Sequence, residues 1–339
     1  MTDSYKQFRE FKLRNILAVV KYLLRTARRK INVKNPVGKS LILYITSVCN
    51  LHCDFCCYGS KLNKGGMSYT EFERIFQKED FANLLITGGE PFLNDDIEFM
   101  LTDALRQASV SVNTNGTIDL CDRIDWALSV HDKCSKQTTD KHYLTVSVSI
   151  DGFMGTHNKL RGNPEAYQKA LDTLRDLESL KRKYDNLRIV VNTVLLPENL
   201  KEVPELIKEF YYGFDLDFHN VEIARDINWD VSLLDAFHLT NYEMYSYYPN
   251  GYNRWYFRLK TEYDFLNNIK WGFNCKAGET LSVIYEDGRK AICEYDKERA
   301  CKDGDSFCMH GCWIEASMPK QKTHPYKQLY KDITKYLQW

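Results

Sequence analysis

The sequence lacks three features that would place it in a broad functional class. Its 46 basic and 46 acidic residues leave no net charge, so the global charge does not point to nucleic acid or to an acidic substrate. No uninterrupted apolar run is long enough to span a bilayer, and no signal peptide with a cleavage site is present. We therefore expect a cytoplasmic protein that binds no nucleic acid.

Cysteine, by contrast, is abundant, with eleven residues in the chain. Without a secretion signal, this number fits a reducing cytosol and metal ligation better than disulfides. The 44% hydrophobic content can bury a sizeable core, and the 27% of charged residues predicts a hydrated surface. At 339 residues the chain has the length that a barrel of alternating strands and helices reaches as one unit.

Three of the cysteines directly follow an apolar run and lie four and three residues apart: Cys49, Cys53 and Cys56. A structural zinc site normally has four protein ligands, so three thiolates in one loop suggest a metal site that is left open. A four-iron cluster with three cysteine ligands keeps one iron free for a substrate. A zinc site that borrows a fourth ligand, such as His52 or Cys57, is the alternative interpretation.

The CxxxCxxC spacing resembles the signature of the radical S-adenosylmethionine (radical SAM) enzymes. The resemblance implies that Cys49, Cys53 and Cys56 hold a [4Fe-4S] cluster whose free iron chelates the amino and carboxylate groups of SAM. In that family the reduced cluster cleaves SAM to methionine and a 5′-deoxyadenosyl radical. The resemblance further implies that Phe55 packs near the adenine and that a flavodoxin- or ferredoxin-type protein donates electrons.

Six predicted strands alternate with helices along the middle of the chain: 41–46, 83–87, 110–114, 144–150, 187–195 and 220–225. This alternation predicts a parallel sheet with right-handed crossovers. Together with the resemblance, it predicts an α/β fold with a partial (β/α)6 TIM-like barrel over residues 40–226. Every candidate ligand motif follows a strand, so we expect the motifs to converge at one end of the barrel.

The first such motif is the GGEP sequence formed by Gly88, Gly89, Glu90 and Pro91 after the second strand. Two glycines let the backbone approach a ligand closely, and a carboxylate can accept hydrogen bonds from an ammonium group. The resemblance implies that this backbone and the Glu90 carboxylate bind the amino group of SAM.

Two more motifs follow the third and fourth strands. Thr114 and Asn115 precede a glycine and resemble another family element, with an ordinary Asn-Gly turn as the alternative. Ser149, Asp151 and Arg161 belong to a stretch that resembles the family pattern S-x-D-G…H-D-x-x-R-G, with Asn158 where aspartate is usual. The resemblance places the serine near the ribose or carboxylate of SAM. It pairs the arginine with that carboxylate, which suits a planar guanidinium fork.

The sixth strand supplies two candidates for contact with the substrate. Glu222 and Arg225 could both project from it into the barrel cavity. We therefore name them as candidate catalytic residues.

Five cysteines return in the C-terminal part of the chain: Cys275, Cys293, Cys301, Cys308 and Cys312. Asp287-Gly288 lies between apolar runs and predicts a hairpin that brings Cys275 and Cys293 together. The pattern resembles the SPASM and twitch extensions of radical SAM enzymes, which carry auxiliary clusters. It implies one second [4Fe-4S] cluster on Cys275, Cys293, Cys308 and Cys312, with Cys301 spare; a structural zinc site on these ligands is the alternative. Residues 227–270 are predicted to be a helical connector and 271–339 a cysteine-rich hairpin/helix extension.

The first 39 residues form a predicted basic amphipathic helix. Basic residues far outnumber acidic ones there, and apolar residues recur between them at helical spacing. We favour a helix that caps the bottom of the barrel. Peripheral contact of residues 5–30 with an anionic membrane surface is the alternative.

The resemblance makes the chain an oxidoreductase-type radical SAM enzyme that abstracts a hydrogen atom from a substrate C–H bond. Few residues precede the first strand, which favours a small-molecule or sugar-like substrate over a peptide that needs a leader-binding domain. Maturation of a ribosomal peptide or protein is the first alternative. A non-catalytic zinc-binding module is the second, although it gives the ordered GGEP and RG motifs no role.

Overall fold

The computed structural model of the chain describes residues 39–56, 65–79, 81–135, 142–224 and 281–291. The strands in these ranges are β1 (Ser40–Thr46), β2 (Asn83–Gly88), β3 (Ser109–Thr114), β4 (Leu144–Ser149), β5 (Leu187–Leu195), β6 (Phe218–Ile223), β7 (Leu281–Ile284) and β8 (Lys290–Ala291). The helices are α1 (Tyr69–Lys78), α2 (Ile97–Gln107), α3 (Cys121–Ser135), α4 (Met154–Arg161), α5 (Ala166–Lys183) and α6 (Val203–Gly213).

The described strands form one sheet in the order β6-β5-β4-β3-β2-β1-β7-β8. Each neighbouring pair from β1 to β6 is parallel, with helices along the connections. The order has two ends, so the sheet formed by the described residues is open rather than closed. The predicted α/β fold with a partial TIM-like barrel is confirmed.

The two faces of the sheet differ sharply in polarity. Along β5 every second residue is buried, and Ile189 and Val191 belong to the main apolar core together with residues of the helices. The other face, which we call the inner face, carries polar side chains such as Asn192 on β5 and Ser111 on β3. A parallel sheet that is covered on both faces is normally apolar throughout, so this alternation indicates a hydrated inner face.

The element boundaries follow local chemistry that the sequence shows only in part. Helix α1 begins directly after Ser68, whose hydroxyl accepts a hydrogen bond from the Glu71 backbone N–H. The predicted strand 220–225 lies two residues too late, because β6 begins at Phe218, inside a buried apolar cluster. Helix α4 was not predicted. It is short and ends at Gly162, whose φ of 65° is the left-handed conformation of a helix C-cap.

The predicted hairpin is present and joins the barrel sheet. Its first strand, β7, pairs in parallel with β1, and Gly288 takes a φ of 77° in the turn before β8. Tyr285 stacks on Tyr44 of β1 with 5.1 Å between ring centroids, and Lys290 forms an ion pair with Glu79. The hairpin therefore covers the edge of β1 that would otherwise present unpaired backbone groups.

Several predictions fall outside the described residues. They concern the basic helix within residues 1–38, the connector 227–270, Arg225, and the cysteines of the C-terminal extension. Among the helices that the structure describes, none is long and apolar enough to cross a membrane.

Candidate functional site

The cysteine loop, residues 47–56, follows β1 at the carboxyl edge of the sheet. Cys49, Cys53 and Cys56 are all free thiols and all partly exposed. The backbone N–H of Cys56 donates to the carbonyl of Cys53 over 3.1 Å, which closes the last turn of the loop. The loop therefore leaves all three thiols partly buried, with its last turn closed by a backbone hydrogen bond.

Each of the three thiols has a different environment. The Asn115 amide lies 4.0 Å from the Cys49 sulfur, and Arg161 Nη1 lies 3.8 Å from the Cys53 sulfur, both as hydrogen-bond donors. Cys56 packs instead against a small apolar cluster of β1 and β7. Burial raises the pKa of Cys49, and it raises the pKa of Cys53 to about 11. Both thiols are therefore protonated at neutral pH, and binding of a metal releases their protons.

The donor set fits a four-iron cluster. Within the part of the chain that the structure describes, no three Cys, His, Asp or Glu side chains converge closely enough to hold one metal ion. A cluster does not need such convergence, because each cysteine thiolate binds a different iron. The N–H donors at two of the sulfurs also suit anionic thiolate ligands.

Gly88 and Gly89 allow the GGEP loop after β2 to pack closely against the end of β1 and the cysteine loop. The Gly89 N–H donates to the Thr46 carbonyl over 2.7 Å, and the Glu90 N–H donates to the Val48 carbonyl over 2.8 Å. A Cβ on Gly88 would lie 2.2 Å from the Thr46 oxygen, and one on Gly89 would lie 2.2 Å from the Val48 oxygen. The close approach that these glycines allow is thus to the backbone that carries the cysteines.

Glu90 is fully buried and joins two of the predicted motifs. Its carboxylate accepts hydrogen bonds from the Thr114 hydroxyl at 2.9 Å and from the backbone N–H groups of Asn115 at 2.7 Å and Phe92 at 3.1 Å. Burial raises the pKa of Glu90 to about 7, against the lowering effect of these donors. The carboxylate therefore holds the GGEP loop to the loop after β3, while Pro91 opens a short 3-10 turn.

Asn115 connects the loop after β3 to the cysteine loop. Its side-chain amide donates to Asn50 over 2.9 Å as well as to Cys49, and its oxygen accepts from Thr117. An ordinary Asn-Gly turn would not require these contacts. Asn115 thus lies in an Asn-Gly turn and also contacts the cysteine loop, while its role toward SAM stays a prediction.

Asp151 and Arg161 form a buried ion pair beside the cysteine loop. Asp151 Oδ2 lies 2.6 Å from Arg161 Nε, and the other oxygen of Asp151 accepts from the Val194 N–H at 2.9 Å. The guanidinium lies 5.2 Å from the centroid of the Phe55 ring. The structure thus brings Phe55, Asp151 and Arg161 together at Cys53.

Polar side chains on the inner face continue the site across β4, β5 and β6. The strand register aligns Ser149 with Asn192 and Asn192 with Asn220. The Asn220 amide donates to Asn192 over 2.7 Å and to Glu222 over 3.0 Å. Glu222 therefore does project from β6 on the inner face, one row beyond the asparagines.

Sequence reasoning missed the residues that position these motifs. Asn199, fully buried, donates to the carbonyls of Asp151 at 2.7 Å and Val194 at 2.8 Å. Glu202 accepts from the Phe153 N–H at 2.9 Å, which fixes the start of α4. Both residues lie between β5 and α6, where no motif spacing marks them, and only their hydrogen bonds in the folded chain identify them.

Comparison with known proteins agrees with this geometry. Residues 43–210 match the family model of the Radical SAM superfamily. The sporulation killing factor maturation protein SkfB of Bacillus subtilis is 25% identical over 175 residues, which cover 50% of this chain and 39% of SkfB. The 7-carboxy-7-deazaguanine synthase of Aquifex aeolicus is 26% identical over 193 residues, covering 51% of this chain and 83% of that enzyme. The chain thus spans well under half the length of SkfB.

A solved structure shares the fold over most of the chain. The structure of anSMEcpe with bound AdoMet and Kp18Cys peptide has a TM-score of 0.52 at 20% identity, covering 82% of this chain and 80% of that one. At this identity the similarity shows a shared fold. The cysteine loop, the strand-end motifs around it and the matched domain together show that this chain belongs to the Radical SAM superfamily.

Proposed function

We propose that this enzyme binds a [4Fe-4S] cluster through Cys49, Cys53 and Cys56, binds SAM beside it, and abstracts a hydrogen atom from an uncharged polar substrate. The observation that carries the proposal is the position of Arg161. Its guanidinium lies between the buried Asp151 and the sulfur of Cys53, where the carboxylate of a cluster-bound SAM is expected. When bound, the cluster and SAM supply a 5′-deoxyadenosyl radical by one-electron cleavage, with methionine as the other product.

The Nη2 nitrogen of Arg161 is available to bind SAM. Asp151 occupies Nε and Cys53 lies at Nη1, while Nη2 makes no hydrogen bond among the described residues. A guanidinium that is fixed on two sides offers its third nitrogen at a defined angle, which suits a carboxylate. This geometry supports the role of Arg161 that the sequence resemblance implies.

The GGEP backbone supports binding of the SAM amino group. The Gly89 N–H is occupied by the Thr46 carbonyl at the end of β1, and the Glu90 N–H by the Val48 carbonyl of the cysteine loop. The Gly89 carbonyl accepts no hydrogen bond among the described residues. An ammonium group donates hydrogen bonds and needs such acceptors. We assign the amino group to this backbone, with the buried Glu90 carboxylate holding the loop in place.

The inner face supports an uncharged, hydrogen-bonding substrate. On the described strands β1–β6, its charged side chains are Glu222, at the carboxyl end, and Arg188, which stacks on Tyr143 at the amino end. The hydroxyl of Ser149 and the side-chain nitrogen of Asn192 make no hydrogen bond within the described residues. Hydroxyls and amides bind neutral polar groups, whereas phosphates and carboxylates call for cationic partners.

A hydroxyl-rich small molecule, such as a neutral sugar or polyol, is our first candidate substrate. We further propose that Cys275, Cys293, Cys308 and Cys312 bind an auxiliary cluster, which accepts the second electron of a net oxidation. A flavodoxin- or ferredoxin-type protein supplies the first electron. A peptide is the second candidate, supported by the killing factor maturation function in the name of SkfB and by the peptide bound to anSMEcpe.

Substrate-dependent SAM cleavage tests this proposal. Anaerobically reconstituted protein is reduced with dithionite, and 5′-deoxyadenosine release is measured with panels of polyols, neutral sugars, neutral peptides and nucleoside phosphates. We expect slow release without substrate and a rise of roughly tenfold or more with an uncharged polar compound. Stimulation only by the nucleoside phosphates would contradict the proposed substrate class.

A further inference from the structure

We propose that Arg161 donates a charged hydrogen bond to the sulfur of Cys53 and thereby raises the reduction potential of the cluster in the cysteine loop. This role is separate from binding the SAM carboxylate, because it is made by a different nitrogen and does not need SAM. The inference rests on the proposed function, since it requires the cluster.

The contact between Arg161 and Cys53 is sheltered from water. Nη1 lies 3.8 Å from the sulfur, the guanidinium faces the Phe55 ring at 5.2 Å, and Arg161 is only 9% exposed. A hydrogen bond from a charged donor is stronger than one from a neutral donor, and both gain strength where water is excluded. The guanidinium can therefore act on the sulfur with little solvent screening.

Asp151 is the positioning residue that holds this guanidinium. Its carboxylate is fully buried, with one oxygen 2.6 Å from Arg161 Nε and the other held by the Val194 N–H. Its backbone carbonyl is in turn fixed by the Asn199 amide. The arginine is thus anchored to the end of β5, on the opposite side from the cysteine loop.

The direction of the effect follows from the charge that reduction adds. Reduction transfers one electron to the cluster and its thiolate ligands, and no bond is made or broken. A cationic donor at a ligand sulfur stabilises this added negative charge, so it favours the reduced state and raises the potential. The neutral Asn115 amide, 4.0 Å from the Cys49 sulfur, offers the weaker version of the same contact.

A redox titration of the SAM-free protein tests the inference. The full chain is reconstituted anaerobically and titrated with dithionite as the electron source, while the signal of the reduced cluster is followed by electron paramagnetic resonance. We expect Arg161→Gln to shift the midpoint to a more negative potential and Arg161→Lys to shift it less. Arg106→Gln, which removes an exposed ion pair on α2, serves as the control and keeps the wild-type potential.

Wild-type protein labelled with guanidino-15N arginine keeps the test independent of variant folding. Pulsed paramagnetic resonance of its reduced cluster should show a 15N coupling without SAM, and absence of that coupling would overturn the inference. Arg161 variants that load iron and show the wild-type midpoint potential in the SAM-free titration would also overturn it, while leaving the proposed function intact. If wild-type protein loads no cluster, the inference falls together with the proposed function.

Discussion

Glu90 accepts hydrogen bonds from three donors on two loops while its carboxylate is shielded from water. The sequence resemblance assigns this residue to SAM. In the structure its side chain ties the GGEP backbone to the loop that also carries Asn115. At the scale of single residues, the site is therefore built by buried polar groups that position the groups in contact with the ligand.

Replacing Glu90 with glutamine tests this positioning role. Glutamine keeps the shape but turns an NH2 group toward at least one of the donors, so a buried donor loses its partner. We expect the Glu90→Gln variant to lose roughly 1–3 kcal/mol of unfolding free energy and to bind SAM several-fold more weakly. Denaturant unfolding and equilibrium SAM binding measure the two effects.

Glu165→Gln is the matched control, because Glu165 is exposed on the surface next to α5 and pairs with Lys169. It should change neither quantity measurably. Wild-type stability and SAM affinity in the Glu90 variant would show that the two loops do not depend on this carboxylate.

At the scale of elements, the GGEP loop and the cysteine loop behave as one unit. A Cβ on Gly89 would meet the Val48 carbonyl at 2.2 Å, and neither partner can move without shifting a loop backbone. We expect Gly89→Ala to displace the cysteine loop and to lower iron incorporation by half or more, together with a loss of about 2 kcal/mol of stability. Iron per chain and denaturant unfolding check both values.

Gly155→Ala provides the control for that substitution. Gly155 lies in α4 and an added Cβ there meets nothing within 4 Å. Alanine is the better helix former, so this variant should load iron normally and be slightly more stable, by up to about 1 kcal/mol. Equal iron contents in the two variants would contradict the coupling of the loops.

The hairpin of β7 and β8 offers a second test at this scale. Tyr285 stacks on Tyr44, and Cys56 packs against the same apolar cluster, so the hairpin supports the cysteine loop from the side of β1. We expect Tyr285→Ala to cost roughly 2–4 kcal/mol of unfolding free energy, from lost packing and stacking. Tyr212→Ala, at a ring that is 65% exposed, should cost well under half of that.

Local patterns in the sequence predict most elements but not their partners. The six strands and α1 are visible as short apolar runs and a capped periodic segment, and the motifs at their ends converge as predicted. The pairing of β7 with β1 is a long-range contact that no local pattern encodes. Helix α4 is too short and too polar for its period to stand out.

The residues of the site were predictable where they form local sequence motifs, and not where they come together through long-range packing. The CxxxCxxC spacing and the GGEP sequence are contiguous, so the resemblance identifies them directly. Asn192 reaches the site because the strand register aligns it with Ser149, and Asn199 because it is buried against Asp151. Both placements depend on how β5 packs against its neighbours. Whether the C-terminal cysteines bind a second cluster stays a prediction.

At the scale of the whole molecule, two buried histidines make stability depend on pH. Burial lowers the pKa of His157 to about 4 and that of His219 to about 3, below the ordinary value of 6.5. Both side chains are therefore neutral in the folded protein, whereas the unfolded chain takes up protons below about pH 6.5. Their contribution to stability is complete above that pH and declines as the pH falls towards 4.

We expect the unfolding free energy of the wild-type chain to fall by about 2 kcal/mol between pH 6.5 and 5.5 from these two groups. Urea unfolding at several pH values measures this slope. His157→Asn, which keeps an acceptor for the Asp151 N–H, should remove about half of it. A slope that is unchanged in this variant would show that His157 is not held neutral.

Among the described residues, the segments that follow β2, β3 and β4 all contact the cysteine loop at the carboxyl edge of the open sheet. The central claim is that this loop binds a [4Fe-4S] cluster that cleaves SAM. Iron per chain and 5′-deoxyadenosine release, measured on the same anaerobically reconstituted protein, test that claim most directly. Cys121→Ser serves as the control, since Cys121 is a free, partly buried thiol at the start of α3.

We predict that Cys53→Ser loses about four irons per chain and all 5′-deoxyadenosine release, while Cys121→Ser keeps both. Zinc in place of iron, or iron-loaded wild-type protein that leaves SAM intact under reduction, would contradict the account.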